Sequence, residues 1–230
     1  MFMKRIFYSL PVFGIISLSL FSSCSKSTPS SSNNNNNSNV SDLVASFSNY
    51  NSATKATTTY TFSYDGENRL IEEQISDGTP TIMFTYGSGT VTETQGTTTT
   101  IYTLNNAGFA TSDNQGNTYT YNSNGDLTNV TNTDGASTVN TISNNNLVSS
   151  VQTTSTGTIT SYEYTYLNNL NTLKFGLTFL GTPDVNLIQS QSINGVSYPF
   201  SYTYDSYNRV ETETIVSGPT NLIRTYTYEN

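Results

Sequence analysis

A chain of 230 residues holds one domain, or at most two small ones. With a formal charge of −8 and only eight basic residues, not clustered, it has no footprint for nucleic acid. Histidine is absent and Cys24 is the single cysteine, which excludes His-based triads, His-ligated metals and any intrachain disulfide.

The N-terminus reads as an export signal. Lys4 and Arg5 precede an apolar run from Ile6 to Phe21, broken by Pro11 and Gly14, and the small residues Ser22 and Ser23 lead to Cys24. The run is too short for a comfortable membrane span. Phe21-Ser22-Ser23-Cys24 resembles the lipobox of bacterial lipoproteins, with Phe21 replacing the usual aliphatic residue. The resemblance implies cleavage after residue 23 and lipid attachment at Cys24; the alternative is a secreted protein with one free thiol. Loss of Lys4 and Arg5 would move the formal charge from −8 to −10. With Cys24 carrying lipid, thiol catalysis and Cys-based zinc sites are excluded too. Residues 24–41, a lipidated cysteine followed by a Ser/Asn-rich run, read as a flexible tether. As a random coil it would reach roughly 20–25 Å from the anchor.

Residues 42–230 read as a single β domain. Val40–Thr59 is ambiguous, because Leu43, Val44 and Phe47 fit a short amphipathic turn or an edge strand. From Tyr60 the pattern alternates with period 2: Tyr60, Phe62 and Tyr64 on one face, Thr61 and Ser63 on the other. Asp65-Gly66-Glu67-Asn68 supplies a turn, in which Gly66 tolerates positive φ and the Asx side chains bond to local backbone. Leu70, Ile71 and Ile75 return. The same hairpin recurs around Tyr86, Leu104, Tyr121, Ile142, Tyr162–Tyr166, Tyr204 and Tyr228, at spacings too uneven for a solenoid. Leu167–Gln191 breaks the rhythm. It is the most apolar part of the mature chain, and it reads as a short helix, most plausible within 167–190, or a loop folded across one end of the sheet.

Aromatic and aliphatic residues opposite Thr and Ser define an antiparallel sheet with one dry and one wet face. Such a sheet must roll into a barrel, remain an open roll, or fold as a sandwich to bury its aromatic face. An outer-membrane barrel inverts that pattern and needs strands of 9–11 residues, longer than most runs here.

The runs Tyr202-Thr203-Tyr204-Asp205-Ser206-Tyr207-Asn208-Arg209-Val210, Phe62-Ser63-Tyr64-Asp65-Gly66-Glu67-Asn68-Arg69-Leu70 and Tyr119-Thr120-Tyr121-Asn122-Ser123-Asn124-Gly125-Asp126-Leu127 resemble the YD (RHS-type) repeat. Together with the lipobox, the chain resembles uncharacterised YD-repeat-like lipoproteins of Bacteroidota. The resemblance implies a meander of hairpins and an envelope address, and carries no catalytic residue. No acidic run follows Cys24, so a lipid-anchored, periplasm-facing outer-membrane position is expected rather than the cell surface.

Composition leaves one enzyme class open, a paired-carboxylate glycosidase using Glu72, Glu73, Glu93, Glu163, Glu211 or Glu213. These glutamates read as residues of the solvated strand face, so no enzyme is expected, and no catalytic, metal or cofactor residue is assigned. Asp65 and Asp205 read as turn formers rather than calcium ligands. Tyr207 lies in a turn and is expected to be exposed. Two classes remain: a structural or protein-interaction module of the envelope, and a lipoprotein that binds a glycan or peptide on exposed aromatic rings.

Overall fold

A computed structural model describes residues 41–229. The signal segment 1–23, Cys24 and the tether up to residue 40 lie outside the described residues. Sixteen antiparallel strands follow: β1 Val44–Asn51, β2 Thr57–Tyr64, β3 Leu70–Ile75, β4 Ile82–Gly87, β5 Thr90–Gln95, β6 Thr98–Leu104, β7 Ala110–Asp113, β8 Asn117–Tyr121, β9 Leu127–Asn132, β10 Ser137–Ser143, β11 Asn146–Thr153, β12 Ile159–Leu170, β13 Asn186–Ile193, β14 Val196–Tyr204, β15 Val210–Ser217 and β16 Thr220–Tyr228. Each pairs with its neighbour in sequence, and β1 pairs with β16, which closes the meander into a barrel. Of the forms open from the sequence, this is the one that leaves no edge strand. The ambiguous stretch therefore contributes a full wall strand, β1, between β2 and β16, not an edge.

The period-2 pattern sets the polarity of the wall. Phe62, Phe84, Tyr102, Tyr119, Tyr162, Tyr164 and Tyr226 are buried inside. Thr61, Thr85, Thr103, Thr120, Thr165 and Thr203 alternate with such residues and are exposed outside. Hydroxyls of the outer face bond across strands, as in Thr118–Thr131 at 2.6 Å and Thr203–Thr212 at 2.8 Å.

The turns explain the repeated sequence. Asp65 N donates to Arg69 O and Asn68 N to Asp65 O, while Asp65 Oδ1 accepts Glu67 N and Arg69 N. Asp205–Arg209 reproduces each of these bonds, and Asn105–Phe109 and Asn122–Asp126 do so with asparagine in first place. The fourth residue takes positive φ in every copy: Asn68, Gly108, Gly125 and Asn208. The expectation for Gly66 is corrected accordingly, since the left-handed position is two residues later and Gly66 has no positive φ. This five-residue turn ends in a β-bulge, seen as register shifts at Ser63/Tyr64, Thr103/Leu104, Thr120/Tyr121 and Thr203/Tyr204.

Desolvation alone would raise the Asp205 carboxyl, but hydrogen bonds from Arg209 and Tyr207 outweigh it and hold it below the usual range. Asp205→Ala is expected to cost about 1–2 kcal/mol in urea denaturation, through the lost bonds to backbone and Arg209. An unchanged midpoint would show that the turn does not need them.

The break in the rhythm resolves into a strap. Strand β12 runs to Leu170 and β13 starts at Asn186, and residues 171–185 between them cross one end of the barrel without helix. No helix occurs among the described residues, so the loop reading holds for 171–185, the flanking parts of 167–190 belong to β12 and β13, and the helical reading does not hold. The strap runs over the strand starts that the bulges leave unpaired. Thr172 Oγ1 accepts Val210 N, Lys174 O accepts Val44 N, Gly176 O accepts Leu70 N and Phe179 O accepts Ala110 N. Each would otherwise be a buried backbone donor without an acceptor. At Gly176, with φ of +67°, a Cβ would lie 2.7 Å from Asn68 O and 2.9 Å from Leu70 N. Gly176→Ala is therefore expected to lower the thermal midpoint by several degrees. An unchanged midpoint would mean that the strap can lift off freely.

Candidate functional site

The barrel encloses its polar chemistry. Below the strap, Phe175 packs on Phe47 and Phe62, and Phe179 on Phe84, Tyr86 and Tyr102, with ring centroids 4.9–6.4 Å apart. At the same end, Tyr64 donates to Val44 O, Tyr86 to Leu70 O, Tyr166 to Leu147 O and Tyr228 to Val210 O, so in four of the hairpins an aromatic hydroxyl ties the outgoing strand to the hairpin before it. Arg69 lies over the Tyr86 ring at 4.3 Å and Arg209 over Tyr228 at 4.1 Å. Tyrosine and arginine of the repeated motif thus belong to one joint between successive repeats.

One step further in, the returning strands turn polar. Glu73 stands opposite Phe62, Glu93 opposite Phe84, Asp113 opposite Tyr102, Ser150 opposite Tyr162, Gln191 opposite Tyr164 and Glu213 opposite Tyr202. This overturns the solvated reading of three glutamates: Glu73 and Glu213 are buried, and Glu93 accepts the hydroxyl of buried Tyr102 at 2.9 Å. Glu163 and Glu211 are exposed outside as expected, and Glu72 is partly so.

The tier is heterogeneous in charge. Glu213 binds Arg224 Nη1 at 2.5 Å and the Tyr226 hydroxyl at 3.0 Å. Burial would lower the Arg224 pKa, but Glu213 and Tyr226 reverse that and raise it. Asp113 is occupied by its own turn, accepting Gln115 N, Asn117 N, Asn117 Nδ2 and the Tyr119 hydroxyl. Burial pushes Asp184, at the end of the strap, up to about 6, against the bonds it accepts from Leu147 N and the Tyr166 hydroxyl.

Glu73 is the carboxylate of this tier with an unpartnered oxygen, its Oε1; Gln191 Oε1 and Arg224 Nε also lack a partner, but neither group is acidic. Burial and the neighbouring charge of Glu93 push it up to about 7. Folding therefore favours its protonated form. The contribution of Glu73 to stability is greatest at acid pH and falls as pH rises from the ordinary carboxylate range through about 7, by about 3 kcal/mol in all. Glu73→Gln should flatten that fall between pH 5 and 8 in denaturant midpoints, and an equal slope in both proteins would rule Glu73 out as its source.

Chemically, the tier holds and positions charge out of water. Asp65 and Asp205 spend both carboxylate oxygens on their own turns and on Arg69 and Arg209, which leaves them as turn formers. Tyr207 is 53% exposed as expected, and no other described aromatic side chain is exposed. Cys24 lies outside the described residues. Arg224 went unread in the sequence although its signal is there: it sits in the inward positions of Leu222-x-Arg224-x-Tyr226-x-Tyr228.

No protein-family model matches the chain, and no curated protein matches it. Among solved structures it is similar to a porin-like protein from Bacteroides uniformis ATCC 8492, at a TM-score of 0.65 and 17% identity over 81% of this chain and 98% of that one. It is also similar to a porin-like protein from Bacteroides vulgatus ATCC 8482, at a TM-score of 0.55 and 11% identity with the same coverage. At these identities the likeness is one of fold, an all-β barrel.

Proposed function

We propose that this protein is a non-enzymatic interaction module of the cell envelope, anchored by lipid on Cys24 and built from YD-like hairpins. The observation that carries the reading is the polarity of the wall: aromatic rings inside, threonine hydroxyls outside, and a strap with two buried phenylalanines across one end. A lipid-spanning barrel needs an apolar outer band and, as a pore, an open polar lumen. Neither fits this wall, so the likeness to porin-like structures supports the barrel and an envelope setting but not a channel. The protein docks through its hydroxyl-rich exterior and its turns. A glycan platform is less well supported, because among the described residues Tyr207 is the single exposed aromatic ring and stacking sites need several.

A glycan array paired with a crosslinking pulldown from membranes tests this reading. A specific protein partner with no glycan hits is the expected result, and strong glycan hits without a protein partner would overturn it. Mass spectrometry of membrane-extracted protein should find the mature chain starting at a lipid-modified Cys24, and an unmodified thiol there would refute the anchor. Protease shaving of intact cells should leave the domain intact if it faces the periplasm.

A further inference from the structure

The barrel wall is not uniformly stitched. Strands β4 and β5 pair over their whole length, from Ile82 with Gln95 to Gly87 with Thr90. Across β3 and β4, by contrast, only Glu72 pairs with Met83 and Glu73 with Ile82. Towards the strap that seam is held by side chains alone, through the Tyr86 hydroxyl on Leu70 O and the Arg69 guanidinium over the Tyr86 ring. One of the two backbone pairs therefore belongs to Glu73, whose buried side chain has an unpartnered oxygen.

The surroundings of Glu73 offer no compensation. On β2, Tyr60 and Tyr64 stand close enough for its charge to bear on their hydroxyls. On β4 its paired neighbour is Ile82, and across the seam Glu93 of β5 adds a like charge. On its own element Glu72 points outward, and Asp77 follows in the next turn. Arg224 acts on Tyr60, and its guanidinium is bound to Glu213. A carboxylate in such a place gains most by reaching water, and the ladder beside it is short: only β7–β8, with the single pair Ser112–Thr118, has fewer pairs.

We infer that the β3–β4 seam is a joint that parts when Glu73 ionises, which admits water to the lumen tier of Glu93 and Tyr102. The protonated acid keeps the wall closed. Ionisation places two like charges on either side of β4, one on each flanking strand, and the short ladder yields before the longer ones do. This gives the barrel a pH-dependent opening on one side, separate from the strapped end and from the proposed docking exterior.

Hydrogen exchange read by mass spectrometry on the full protein at pH 6 and 8, corrected for the intrinsic rate, tests the joint. Peptides covering Leu70–Ile75 and Ile82–Gly87 should exchange about tenfold faster at pH 8, the factor expected for one pH unit above the transition. Peptides from β15 and β16 should change less. Glu73→Gln should abolish the difference, and Glu93→Gln, which leaves Glu73 in place, should shrink it. A uniform rise in all strands, or an undiminished seam response in Glu73→Gln or in Glu93→Gln, would overturn the proposal.

Discussion

Phe179→Ala is expected to destabilise the barrel by about 3–5 kcal/mol, the range for removing a fully buried aromatic side chain that cannot be replaced by local collapse. Phe179 is 1% exposed and its ring meets Phe84 and Tyr86 on β4 and Tyr102 on β6. Truncation opens a cavity under the strap, where the backbone is already fixed by its bonds to the strand starts. Leu177→Ala, at a partly buried position of the same strap, should cost about 1–2 kcal/mol by the area it covers. Urea midpoints of the two variants measure the difference. Equal small losses in both would mean that the strap lies on the barrel without closing it.

Arg224→Met should cost about as much, roughly 3–5 kcal/mol, because it leaves Glu213 buried with no cation and only tyrosine hydroxyls, those of Tyr226 and Tyr202, to meet its charge. Replacing both partners, Glu213→Leu with Arg224→Met, should recover most of that loss. The attraction between two buried charges is largely offset by their desolvation, and two apolar side chains of similar volume need no such compensation. A double variant as unstable as the single one would show that Arg224 has a structural role beyond neutralising Glu213.

The hairpin recipe was legible in the sequence because side-chain direction in a strand repeats every two residues, and Tyr-x-Tyr against Thr states that period openly. The turns were legible for the same local reason, since Asp65 and Asp205 bond to backbone within four residues of themselves. What misled the reading of Glu73 and Glu213 was the bulge that follows each such turn. It inserts one residue, so Leu70 and Glu73, three apart, are both buried, as are Val210 and Glu213. Counting by twos from the aliphatic residue puts the glutamate on the wrong face. The strap was visible as an apolar interruption, but its form depends on which unpaired N–H groups it meets, and those lie far apart in the chain. Closure was likewise not written locally, because it depends on β1 meeting β16 across 181 residues, as Ser46 does with Thr227.

The central claim is that the outer face of this barrel is wet while the protein sits on a membrane. The most direct test places single cysteines at Thr103, Thr120 and Thr203, all exposed outward positions, in the full-length lipoprotein, where Cys24 is expected to be blocked by lipid. Labelling by a charged maleimide is then compared in membranes opened to the reagent and in detergent. All three positions are expected to label in membranes as fast as in detergent. Positions shielded in membranes and released by detergent would contradict it, since that is the behaviour of a wall facing lipid.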